Sequence, residues 1–175
     1  MEENIQRLLV NYSNARKSWE AWSFMASMNL KNDKGEIKKY VDGNILLFHL
    51  RYLSFKDCFI ELSKILKDTK GNSDNIFELL RKKKHSVPEL EFTINENISE
   101  LNKHNSTIQK INDSRDKYFA HLDPDYNDYI HKSIGFHDIE KCFIAIENAI
   151  MTLTSRELLM DGLNKIPSKD EFSFK

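Results

Sequence analysis

Arg115, Asp116 and His121 place a permanent cation, a carboxylate and an imidazole within one short stretch, Arg115-Asp116-Lys117-Tyr118-Phe119-Ala120-His121-Leu122-Asp123-Pro124. Arginine is always charged, and its planar fork can hold two phosphate oxygens at once. Histidine titrates near neutrality and moves a proton in either direction. Together these types can bind an oxyanion and carry protons beside it. On a helical wheel Ile94, Ile98, Leu101, Ile108, Ile111, Tyr118, Phe119 and Leu122 share one face. Arg115 falls near the middle of that face, where the pattern asks for Leu or Ile. A cation there is costly unless it is paired or used. Two readings stay open at this point. Arg115 is a structural arginine that snorkels or meets a buried carboxylate, or it belongs to a site.

The elements that must hold these residues read as helices. Ile5, Leu8, Tyr12, Ala15, Trp19, Trp22 and Ala26 predict a first helix from about residue 3 to 30, with both tryptophans in the core. Asn32-Asp33-Lys34-Gly35 signals a turn. A second helix starts at Glu36 or at Asn44 and runs to Lys67. It carries two apolar stripes, Ile45-Phe48-Tyr52-Phe55-Phe59-Leu62-Leu66 and Leu46-Leu50-Leu53-Ile60. Two stripes predict two buried faces and a central position. Asp57 interrupts the second stripe, as a solvated edge residue or as the partner of a buried cation such as Arg115.

Ser73 is expected to cap a short third helix, with Asp74 and Glu78 in its early turns. That helix ends in Arg81-Lys82-Lys83-Lys84-His85. A basic run suits a helix C-terminus, and it also suits contact with a phosphate backbone. After Val87-Pro88, a fourth helix is expected from about Leu90 or Ile94 to His121. A loop follows to Gly135, in which Tyr126 and Tyr129 serve as anchors or as stacking surfaces. The last helix covers about His137 to Met160. The expectation is an all-α, single-domain helical bundle of about five helices over residues 1–166, with a flexible tail over 167–175.

With 175 residues, 40% of them hydrophobic and 30% charged, the chain can bury one core and does not have a disordered composition. Its formal net charge of −1 means that binding to nucleic acid must use a local patch. Cys58 and Cys142 lie in helical patterns without a C-x-x-C, so reduced, buried thiols are expected. No metal-ligand set, phosphate-binding glycine loop or G-x-S-x-G occurs, so neither a metal nor another cofactor is expected. No signal peptide and no apolar run of the ~18 residues expected of a membrane span is present. A cytoplasmic location without membrane association is expected.

An Arg followed by a polar residue and then a His, late in a helical bundle, resembles the HEPN superfamily (higher-eukaryote and prokaryote nucleotide-binding domains). Its signature is R-x(4–6)-H, matched by Arg115, Asp116 and His121. The chain is most similar to the AbiU-like abortive-infection branch, which has an "RDK…AHLD" phrase. Arg115-Asp116-Lys117 and Ala120-His121-Leu122-Asp123 follow it. Leu62-Ser63-Lys64-Ile65-Leu66-Lys67-Asp68 and Asn75-Ile76-Phe77-Glu78-Leu79-Leu80 are similar to two upstream phrases of that branch, so the likeness covers roughly residues 40 to 160.

The resemblance implies a HEPN-like fold and a metal-independent endoribonuclease, a phage-defence or toxin effector, acting as a homodimer on RNA and held in check in some systems by an antitoxin protein. It also allows a non-catalytic module that binds nucleotide, RNA or protein. Carried onto this chain, Arg115 and His121 would be catalytic and Asp116 would orient one of them. Lys117, Arg81, Lys82, Lys83 and Lys84 would contact RNA. The chemistry would be attack of a ribose 2′-OH on the neighbouring phosphorus, with one His as base and the partner's as acid.

Overall fold

A computed structural model of the chain describes residues 2–28, 35–69, 75–116 and 134–154. Among the described residues the protein is all-helical. Seven α-helices follow in order: α1 (Glu2–Met25), α2 (Glu36–Asp42), α3 (Ile45–Leu66), α4 (Ile76–Ser86), α5 (Glu91–Lys103), α6 (Asn105–Ser114) and α7 (Phe136–Leu153), with a 3₁₀ turn at Pro88–Leu90 before α5.

Among the described residues the expected five helices become seven because two of them are interrupted. Glu36 and Asn44 are both helix starts. Gly43 ends α2, and the Asn44 side chain accepts from the backbone N–H groups of Leu46 and Leu47 at 3.0 and 3.2 Å. An Asn cap of this kind satisfies donors that have no partner inside the helix, so α3 starts afresh. The second interruption is at His104, whose N–H reaches back only three residues, to Leu101 at 3.0 Å. That tighter turn separates α5 from α6. Further along, residues 115 and 116 form a wider, π-type turn, so the expected helix to His121 is described only to Asp116.

The cap of α4 also differs from expectation. It is Asn75, fully buried, whose Oδ1 accepts from Glu78 N–H at 2.9 Å. Ser73 and Asp74 lie outside the described residues. So do the loop carrying Tyr126 and Tyr129 and the 167–175 tail.

The core gathers α1, the C-terminal half of α3, α4, α5, α6 and α7. Trp19, Tyr12, Phe59, Leu62, Leu66, Ile76, Leu79, Ile108, Ile111, Phe143 and Ile146 are buried there. α1 and α7 run antiparallel. Tyr12 donates to Glu147, and Trp19 Nε1 donates to Glu140 at 2.5 Å. Arg16 also donates to Glu140, at 3.1 Å, and lies over the Phe143 ring. Burial and the Glu147 carboxylate push the Tyr12 hydroxyl far above its usual range, so it stays a donor. Trp19 stacks on Trp22 and Phe136. Cys58 and Cys142 are free and buried. Burial pushes both thiols up, Cys142 to about 12.

α3 corrects the expectation of two buried faces. Cys58, Phe59, Leu62, Ile65 and Leu66 are buried. Ahead of them, Ile45 is 90% exposed, Leu46 63%, Phe48 51%, Leu50 42% and Leu53 41%. α1 and α2 flank this N-terminal half and leave an apolar groove of about 730 Å³ that includes Phe24, Met25, Tyr40, Leu47 and Leu50.

Candidate functional site

The C-terminal end of α3 is where the motif helix and the basic helix meet. Leu66 is the last buried residue of α3, and Lys67 leaves the helix in an extended conformation. Lys67 and Asp68 then point to different neighbours. Lys67 Nζ donates to Asp116 Oδ2 at 2.7 Å, reaching the end of α6. Asp68 accepts both Nη groups of Arg81, reaching α4. Asp116 also accepts Arg115 Nη1, at 2.6 Å on its other oxygen. Arg81 additionally contacts Glu78 at 3.4 Å, and Lys82 lies 3.7 Å from the same carboxylate.

The result is a chain of alternating charge along one edge: Arg115, Asp116, Lys67, Asp68, Arg81, Glu78 and Lys82. Every link is substantially exposed, so each is worth at most ~1 kcal/mol to folding. Their effect is on orientation. The Lys67 ammonium, and after it the Arg115 guanidinium, hold the Asp116 carboxyl below the usual carboxylate range. Asp68 raises the Arg81 guanidinium further. Asp116 therefore stays ionised and fixes two cations, one on each oxygen. The Nη2 and Nε groups of Arg115 have no partner among the described residues. A pair of oriented, exposed cations is suited to a phosphate or another oxyanion.

Arg115 is not the buried cation that its place on the apolar stripe suggests. Its side chain is 44% exposed. Ile111 and Ile108, one and two turns earlier, are buried, but the backbone widens into a π-type turn at 115 and 116. The alternative partner is also excluded. Asp57 is exposed and accepts from Ser18 Oγ at 2.5 Å, on the α1 side of α3. Arg115 and Asp57 do not pair.

The basic run is more self-neutralised than its sequence suggests. Arg81 is held by Asp68 and Glu78, and Lys82 is close to Glu78. Lys84 binds Glu91 at 2.6 Å and Asn95 at 3.1 Å. Lys83 makes no ion pair among the described residues. Lys117 and His121 lie outside the described residues. Lys67 and Asp68 were not singled out from the sequence. The signal for Lys67 was a cation at the end of an apolar helix, a position that usually means only a favourable helix dipole.

Among the described residues no three His, Cys, Asp or Glu side chains gather as a set that could hold a metal ion. No helix among them is long and apolar enough to cross a membrane. No family model, curated protein or solved structure matches the chain.

Proposed function

We propose that the protein is a metal-independent endoribonuclease of the HEPN type, acting in phage defence or as the toxin of a toxin–antitoxin pair. The observation that carries the reading is the state of Arg115. It is exposed, braced by Asp116 and accompanied by Lys67, which is the arrangement expected of a phosphate clamp and not of a buried structural arginine. In this reading Arg115 and Lys67 hold the scissile phosphate and offset the charge that builds on its oxygens. His121 takes the proton of the ribose 2′-OH, and the partner's His121 gives one to the 5′-oxygen that leaves. The product is a 2′,3′-cyclic phosphate. A homodimer brings the two histidines into one cleft, and an antitoxin would act by covering it.

The test is incubation of the purified full-length protein with mixed RNA in EDTA. Wild type is expected to cut. RNA methylated at the 2′-OH is expected to resist, since it lacks the attacking group. His121→Ala is expected to lose on the order of 10²–10⁴ in rate, the usual contribution of a general acid–base. Arg115→Ala is expected to abolish cutting with little change in melting temperature. Cleavage that EDTA stops, or that survives His121→Ala, would sink the reading. RNA retention without cutting would favour a binding module instead, with the Lys67–Asp116–Arg115 unit as its phosphate contact.

A further inference from the structure

Charge is unevenly spread along the edge that joins α6, α3 and α4. At the α4 end, Asp68 and Glu78 face Arg81 and Lys82. Two carboxylates meet two cations there, and that stretch is neutral. At the motif end, Lys67 and Arg115 share the one carboxylate of Asp116, which leaves a positive charge over. The nearest other charged pair on α3, Lys64 and Glu61, is closed on itself. Lys110 and Asp113, the charged residues within α6, are one of each sign. Among the described residues the net charge of this edge therefore sits on Lys67, Asp116 and Arg115, and it amounts to a single positive unit.

We propose that Asp116 is a specificity-determining residue, a built-in counter-anion that removes most of the advantage a phosphomonoester would have at Lys67 and Arg115 and so leaves the site to internal phosphodiesters. The proposal rests on the reading of this site as a phosphate clamp. Asp116 sits between the two cations, with Oδ2 on Lys67 Nζ at 2.7 Å and Oδ1 on Arg115 Nη1 at 2.6 Å. The same two contacts keep it ionised. A backbone phosphodiester carries one negative charge. A phosphomonoester approaches two, since its second proton leaves near pH 6. At ~4 Å in water one pair of unit charges is worth roughly a factor of five in affinity. Two bare cations would thus favour the dianion over the monoanion by roughly 25-fold, and a carboxylate beside them cuts this to roughly fivefold. The heavier hydration of the dianion reduces the difference further.

Asp116 occupies only part of each cation. Arg115 keeps Nη2 and Nε without a partner among the described residues, and an ammonium has three donors, of which Lys67 places one on Asp116. The two non-bridging oxygens of a diester can therefore take a donor from each cation, the cations being held one carboxylate width apart. The filter reads charge and no base. Free nucleotides and phosphorylated RNA ends, which compete with a backbone phosphate for any pair of cations, lose their extra attraction at this site.

The test uses the full chain and two small probes that cannot be cleaved, 2′-O-methyluridine 3′-phosphate and its methyl ester. They differ by one methyl group and one charge. Each is titrated at low ionic strength and pH 8, where the monoester is a dianion, and binding is followed by NMR. Wild type is expected to hold the monoester no more than about fivefold tighter than the ester. In Asp116→Asn that ratio is expected to rise roughly fivefold. Loss of a mere brace would weaken both probes together and leave the ratio where it was, so the ratio separates a specificity residue from a structural one. Asp68→Asn removes a carboxylate from the α4 end and is expected to shift the ratio less. The proposal is overturned if Asp116→Asn leaves the ratio unchanged or if Asp68→Asn shifts it as much. It is also overturned if Arg115→Ala binds both probes as wild type does. RNA cleavage by wild type is measured alongside. A shifted ratio without cleavage removes the ribonuclease reading and leaves the filter, and cleavage with an unshifted ratio does the reverse.

Discussion

The two halves of α3 have similar apolar content and opposite surroundings. From Cys58 to Leu66 the helix is enclosed by α1, α4 and α6, and even Glu61 and Ser63 are buried. From Ile45 to Leu53 it carries large aliphatic and aromatic side chains into the open. The difference lies in the neighbours. Apolar periodicity states that a face has to be covered, and it does not state by which chain. One helix thus serves as the axis of the core at one end and lies open at the other, while Lys67 and Asp68 just past its end organise the charges.

The sharpest way to test this contrast is to shorten equivalent leucines. Leu62→Ala, in the enclosed half, is expected to cost about 2–5 kcal/mol, measured by urea unfolding. Leu53→Ala, at low protein concentration, should stay within ~0.5 kcal/mol of wild type. Equal losses would mean that the open half is covered in solution even in the monomer. A smaller effect is expected at the boundary where the open half begins. Asn44→Ala removes the cap of α3 and should cost ~1 kcal/mol, read as a drop in the urea midpoint. The same measurement on Asn75→Ala, whose side chain is buried, should show at least as large a loss, because Glu78 N–H then loses its acceptor.

The smallest effect belongs to the charged end. Asp116 has a folded-state pKa below its unfolded one, so its contribution is present above the usual carboxylate range. It is lost as pH falls through the lowered folded value. The stability difference between wild type and Asp116→Asn should therefore be flat near neutrality and vanish in acid. It should stay under ~1 kcal/mol because the group is exposed. A difference of several kcal/mol would mean that Arg115 and Lys67 are desolvated, contrary to their exposure here.

These contrasts also explain what could be read from the sequence. The all-helical class and the inward residues of α1 and α7 were legible, because Leu8, Tyr12, Trp19, Ile139, Phe143 and Ile146 follow the helical period without interruption. The helix count was not. Glu36 and Asn44 read as alternative starts of one helix, and only the Asn44 side chain turning back to cap makes both of them starts, while nothing in the type of residue 104 demands a break. Ser73 and Asn75 are both good caps by residue type, and type alone does not say which of them opens α4. Arg115 looked buried because wheel arithmetic assumes an unbroken helix, which the turn at 115 and 116 is not. Lys67 was invisible because its partner, Asp116, is 49 positions away.

The polar ties between α1 and α7 bear on how the chain comes to fold. Tyr12 and Trp19 find their carboxylates 135 and 121 residues later in the sequence, whereas Ser18 meets Asp57 after only 39. During synthesis α1 can therefore close on α3 early. Its other face must wait for α7, which at about 5–20 residues per second is a delay on the order of ten seconds. Through that interval the Trp19 and Trp22 rings have no Phe136 to stack on. A nascent chain of this protein is thus expected to spend its most vulnerable period with the α7-facing side of Trp19 uncovered, Trp22 already meeting Phe55 of α3, and holdase chaperones should bind it then and release it once α7 has emerged.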